Sequence, residues 1–151
     1  MKHLEILATA LAYACVIDGK VSVEEKAKLA AILGKHVARN ELSQTDLQET
    51  IQAAFATARG THLDKFLPEV LGRFSTGQQA SLLLNLYDIV LADGTLAEGE
   101  RWLLDKFENA LAFDRATLRA ARKVVMCKND TSVFTNPTHP ANESGYAFKV
   151  E

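Results

Sequence analysis

The chain has 151 residues, a net charge of −2, 48% hydrophobic and 24% charged residues, which suits one soluble domain able to bury a core. That balance excludes the basic surface of a nucleic-acid-binding protein, and no run approaches the ~20 apolar residues of a membrane span. Two cysteines, Cys15 and Cys127, exclude a disulfide framework and have no metal-ligand spacing, so reduced thiols and a cytoplasmic location are expected.

The first element is predicted as a helix near 3–17, with Leu4, Leu7, Ala8, Leu11 and Cys15 at helical spacing. Its basic start, apolar stretch and small residues before Cys15 faintly resemble a lipoprotein signal. Glu5 interrupts that stretch, however, and the segment aligns with residues 86–92, so it reads as part of the fold. Ser22 and Glu25 form a capping box that opens a helix over 22–38. A third helix over 43–59 carries Leu47, Ile51, Ala54, Phe55 and Ala58 on one face, and Gly60 can close it. A fourth spans 62–73, where Pro68 requires a break or kink. Ser75 with Gln78 opens a fifth over 76–92, a sixth follows over 98–112, and Asp114 caps a seventh over 114–127. No sustained polar–apolar alternation of the kind strands need precedes residue 127. The expected architecture is all-α: a single-domain bundle of about seven helices over residues 1–127, with an internal pseudo-repeat. Residues 128–151, rich in Asn, Ser and Thr and holding two of the three prolines, read as a non-helical, extended or mobile tail on which Phe134, Tyr146 and Phe148 could dock to the body.

The pseudo-repeat shows in two phrases, IDGKVSVEE at 17–25 and ADGTLAEGE at 92–100. Asp18 and Asp93 lie 75 residues apart, as do Glu25 and Glu100. Each phrase joins two helices, with the Asp at the end of one and the Glu in the first turn of the next. A first-turn Glu suits the helix dipole, whereas a last-turn Asp opposes it, each by ~0.3–1 kcal/mol. Asp-Gly is a common turn pair, and Glu25 has a capping role, so a purely structural reading exists. That reading weakens in the second phrase, where Ala97 stands in place of Ser22 and cannot cap. The D-G-x5-E pattern is also the second half of an EF-hand loop, whose acidic first half is missing here. Neither turn could chelate calcium alone in that manner. Brought together, Asp18, Glu25, Asp93 and Glu100 could share one hard divalent cation, calcium or magnesium in preference to zinc.

The pairing of CVIDGKVSVEE with VLADGTLAEGE, on helical junctions of an all-helical chain, resembles the tellurite-resistance TerB-like family over about residues 1–127. The resemblance implies a compact bundle with both acidic motifs near a pseudo-twofold axis. It also implies metal binding, chemical-stress response, and protein partners, including membrane-associated complexes. Two positions depart from the family pattern: Ile17 replaces a small residue, and Ala97 replaces the second cap.

Other residues offer less. Asp88 either joins the acidic cluster or sits on a solvated helix face. His3, His36, His62 and His139 lack any paired spacing and read as solvated. Trp102, Leu103 and Phe107 read as core, with Trp102 a candidate partner anchor. Arg119, Arg122 and Lys123 read as a solvated face. No G-x-S-x-G, P-loop or HExxH motif is present, which favours a non-enzymatic domain. The expected function is a cation-binding sensor or scaffold in the response to tellurite or other chemical stress. In it the carboxylates repel one another until a cation locks the two helix–turn–helix halves and switches a partner-binding surface. The alternative is a protein-interaction module whose Asp-Gly turns are structural. Tellurite itself, an oxyanion, should avoid an acidic cluster.

Overall fold

The computed structural model of the chain describes residues 1–92 and 96–150. Seven helices carry the fold: α1 His3–Val16, α2 Val23–Ala38, α3 Gln44–Gly60, α4 Leu63–Arg73, α5 Thr76–Val90, α6 Glu98–Ala110 and α7 Arg115–Asn129. No strand occurs among the described residues.

Side-chain caps set most of the starts. Ser22 accepts from Glu25 N at 3.1 Å, Ser43 from Asp46 N at 3.0 Å, Ser75 from Gln78 N at 3.2 Å, and Asp114 from Thr117 N at 2.8 Å. Each hydrogen bond satisfies an amide that the helix itself leaves without a partner. Pro68 does not break α4, which runs continuously through it. The proline removes only one donor, the one that would reach the Asp64 carbonyl. Burial of Leu63, Phe66, Leu67 and Val70 on the same helix outweighs that loss.

α1 is the central element. Ile6 and every residue from Ala8 to Cys15 are buried, as expected for a helix that is apolar on all sides. It packs most extensively on α3 and α5 and also touches α2, α4 and α6. Its alanines allow the neighbouring backbones to approach, and its polar groups find partners within the bundle. The Thr9 hydroxyl donates to the Glu5 carbonyl at 2.7 Å, and the Tyr13 hydroxyl donates to the Thr61 carbonyl at 2.6 Å. The pseudo-repeat becomes two helix pairs, α1–α2 and α5–α6, joined across the α1–α5 contact.

α7 extends two residues past its predicted end because Asn129 is held by a tertiary contact: its amide donates to Asp88 Oδ1 at 3.0 Å. Beyond it, a single turn, α8 at Ser132–Thr135, and a 3-10 turn at Pro140–Asn142 fold the tail on itself. His139 bridges these turns, with Nε2 2.9 Å from Asp130 Oδ2 and Nδ1 accepting from Ala141 N at 3.0 Å. The tail aromatics stay outside the core: Phe134 is 91% exposed, and Tyr146 and Phe148 are about half exposed.

Candidate metal centre

The α1–α2 turn begins where α1 closes at Ile17. Asp18 therefore lies just past the helix, where it does not face the full cost of a last-turn carboxylate. Its Oδ1 accepts from Lys20 N at 3.1 Å, forming a local turn. Gly19 follows at φ +79°, in the left-handed region that glycine enters without strain. The chain then turns into α2, whose first turn places Glu25.

Glu25 and Glu100 occupy matching places. Glu25 Oε2 accepts from Ser22 N at 3.1 Å, and Glu100 Oε2 accepts from Ala97 N at 3.0 Å. Capping thus explains part of Glu100, contrary to the expectation that loss of a cap side chain at Ala97 leaves it without that role. The missing half is the serine hydroxyl; the reciprocal hydrogen bond from the Ala97 amide needs no side chain at that position. Both carboxylates are buried, Glu25 at 8% and Glu100 at 6% exposure.

The first turn of α6 lies against the α1–α2 turn. A Cβ added at Gly99 would sit 3.4 Å from Ile17 Cγ1 and 3.6 Å from the Ile17 carbonyl oxygen. The bulk of Ile17 is thus met by a residue without a side chain. This approach brings carboxylate oxygens of Asp18, Glu25 and Glu100 within 4.8 Å of one another. Asp93, the fourth predicted ligand, lies outside the described residues.

Electrostatically the cluster is frustrated. Burial pushes the Glu25 carboxyl up, and the negative charges of Asp18 and Glu100 push it further, against the opposing hydrogen bonds from Ser22. Two features offset the repulsion: Glu25 and Glu100 each stand at the positive end of a helix dipole, and each accepts a backbone amide. One oxygen of each is used in this way. Glu25 Oε1 has no hydrogen-bond partner among the described residues.

The donor set is all carboxylate, with no imidazole or thiolate in the cluster. Such hard oxygens suit calcium or magnesium. Two ligands on opposite sides of a calcium ion at 2.3–2.6 Å stand roughly 5 Å apart, and the mutual separations within 4.8 Å lie inside that span. Cys15 is close enough to respond to Glu25 and Asp18, but burial first and those charges second push its thiol up to about 12. It stays protonated at neutral pH and offers neither a nucleophile nor a soft ligand.

Asp88 belongs elsewhere. Burial would raise its pKa, but hydrogen bonds from Lys128, Lys28 and Asn129 outweigh this and hold it down to about 2. It accepts from Lys28 Nζ at 2.9 Å and Lys128 Nζ at 2.8 Å, tying α5 to α2 and α7. The histidines are not merely solvated. His3 contacts the Arg73 carbonyl, His36 pairs with Glu41, His62 Nδ1 accepts from Asp64 N, and His139 pairs with Asp130. Arg122 is likewise engaged, donating to Glu108, which also accepts from the Tyr87 hydroxyl at 2.6 Å. Leu103 and Phe107 are fully buried, but Trp102 is 39% exposed and is not core.

A family model described as tellurite resistance protein TerB matches residues 4–123, well over half of the chain. No curated protein and no solved structure matches significantly. The match takes in both acidic turns and the seven-helix body up to the middle of α7, and it stops before the tail: the chain belongs to the TerB family.

Proposed function

We propose that Asp18, Glu25 and Glu100, joined by Asp93, hold one divalent cation, calcium or magnesium in preference to zinc. In this reading the domain works without catalysis, as a sensor or scaffold in the response to tellurite or other chemical stress. Family membership supports a role related to tellurite resistance. The observation that carries the cation reading is the convergence of three carboxylates, two of them buried, within 4.8 Å. Like charges so placed oppose folding unless something positive joins them.

The ion would supply charge neutralisation and a cross-link between the α1–α2 turn and the first turn of α6. The cluster contributes three carboxylates of the six to eight oxygens that calcium takes, leaving the rest to Asp93, backbone carbonyls or water. The competing reading, an interaction module with structural turns, draws support from the cap hydrogen bonds of Glu25 and Glu100. Those hydrogen bonds account for one oxygen of each side chain but not for the convergence of the pair with Asp18.

Isothermal titration of the chain with calcium, magnesium and zinc chlorides tests this. One site is expected for calcium or magnesium, with affinity reduced at least tenfold in Asp18→Asn/Glu100→Gln. Equal binding by parent and variant, or none by either, would favour the interaction module. Tellurite is expected to show no heat at this site, since an oxyanion is repelled by the carboxylates.

A further inference from the structure

An open groove of about 600 Å³ runs beside Trp102, between the α1–α2 turn and the residues joining α3 to α4. We propose that it binds an acidic segment of a partner protein, with an apolar side chain on Trp102 and a carboxylate on Arg59. The groove adjoins the carboxylate cluster but contains none of its three carboxylates among the described residues, and peptide binding in it is tested without added cation.

Three observations converge on this. First, Tyr13, Arg59 and Trp102 all line the groove, and these three residue types dominate the energetics of protein interfaces. Trp102 leaves 39% of its surface exposed in a concavity whose other wall includes Val16, Ile17 and Val21, all only partly buried. Covering such surface is worth about 25 cal/mol per Å², so an apolar side chain gains by entering. Second, no carboxylate lines the groove among the described residues; its ionisable lining groups there, besides the Tyr13 phenol, are Arg59 and His62. Third, Arg59 is exposed and its guanidinium rests over the Phe55 ring, 5.4 Å from the centroid, with no carboxylate partner among the described residues. Lys106 adds positive charge beside the groove, 5.6 Å from the Trp102 centroid, although it is paired with Asp64 at 3.1 Å. Apolar walls with a lining guanidinium that has no carboxylate partner among the described residues complement a peptide that carries both an apolar anchor and an acid.

The test uses the complete chain and its only tryptophan. A random linear peptide library displayed on phage is panned on the protein, and the enriched peptides are synthesised and titrated while Trp102 emission is followed. Expected are acidic peptides with a Leu, Met or aromatic anchor that shift the emission maximum. Their binding should weaken on the order of tenfold in Arg59→Glu, where an attraction becomes a repulsion, and should fall with added salt. Arg59 is exposed, so the variant should keep the parent melting temperature; Arg59→Gln, with an intermediate loss, controls for any change in fold. Enriched peptides that are basic or neutral, that leave Trp102 emission unmoved, or that bind Arg59→Glu as tightly as the parent would overturn the proposal. Failure to enrich any peptide would do the same. A concentration-dependent Trp102 shift without peptide would assign the groove to a second copy of the chain instead.

Discussion

Replacing Glu25 by glutamine should reverse the order of stability between the metal-free and calcium-loaded protein. Two unit charges at the 4.8 Å limit of the cluster repel by about 1 kcal/mol at the dielectric of water and about 3–4 kcal/mol at an effective dielectric of 20. Glutamine removes such repulsion toward both Asp18 and Glu100. It keeps an oxygen that can accept the Ser22 amide and forfeits ~0.3–1 kcal/mol of favourable charge–dipole energy. With Asp18 exposed and its share screened, the net gain in chelator is about 1–2 kcal/mol. For a chain of this size that raises the melting temperature by roughly 2–8 °C. Calcium at a hundred times its dissociation constant adds about 2.7 kcal/mol to the parent, but much less to a variant lacking one buried carboxylate. Scanning calorimetry in EDTA and then in millimolar calcium reads both orders directly. A lower melting temperature for Glu25→Gln in EDTA would refute the reasoning, because capping would then outweigh repulsion. The sign with pH follows from the same source. Glu25 titrates above its ordinary value of 4.5, so the folded protein binds the extra proton. Metal-free parent should therefore gain stability as pH falls through the raised pKa toward 4.5, and Glu25→Gln should lack that gain.

Asp88 should behave in the opposite sense: held down to about 2 from an ordinary 3.8, it contributes stability above pH 3.8 that is lost as pH falls toward 2. Asp88→Asn should cost about 1–3 kcal/mol at pH 7, because two ammonium groups lose their shared acceptor, and the difference from the parent should shrink in acid melts. Ala97→Ser should raise stability by about 0.5–1 kcal/mol by completing the second capping box, and the mirror change Ser22→Ala should cost about 1 kcal/mol; urea denaturation with unchanged slope checks both.

What the sequence made legible was whatever depends on neighbours along the chain. Helical spacing and the caps at Ser22, Ser75 and Asp114 are local, and the seven helices follow them; the cap at Ser43 is equally local. The 75-residue offset is also a linear signal, and it brought Glu25 and Glu100 together because a repeated helix pair packs on its own copy. Side-chain exposure is not local. Trp102 stands one residue before fully buried Leu103, and only the position of α6 beside the α1–α2 turn decides that it faces a groove. Asp88 takes its partners from Lys28 and Lys128, on helices whose relative placement no spacing rule supplies. The cap role of Glu100 was within reach, since a third-position Glu can accept the preceding amide whatever residue stands at the cap.

The two candidate surfaces adjoin one another along the chain, and this bears on how the domain could work. Ile17, Gly19 and Val21 form one side of the groove, and the same turn carries Asp18. Trp102 forms the other side and sits two residues beyond Glu100 on α6. A cation joining Asp18 to Glu100 would therefore tie one side of the groove to the other through no more than two residues of chain at each end. It would also cancel negative charge close to where an acidic partner must lie. Both effects favour the same liganded state, so the cation and the partner would each bind more tightly in the presence of the other, by equal factors. The size of that coupling is set by the difference between the partner's affinities for the cation-free and the cation-bound domain.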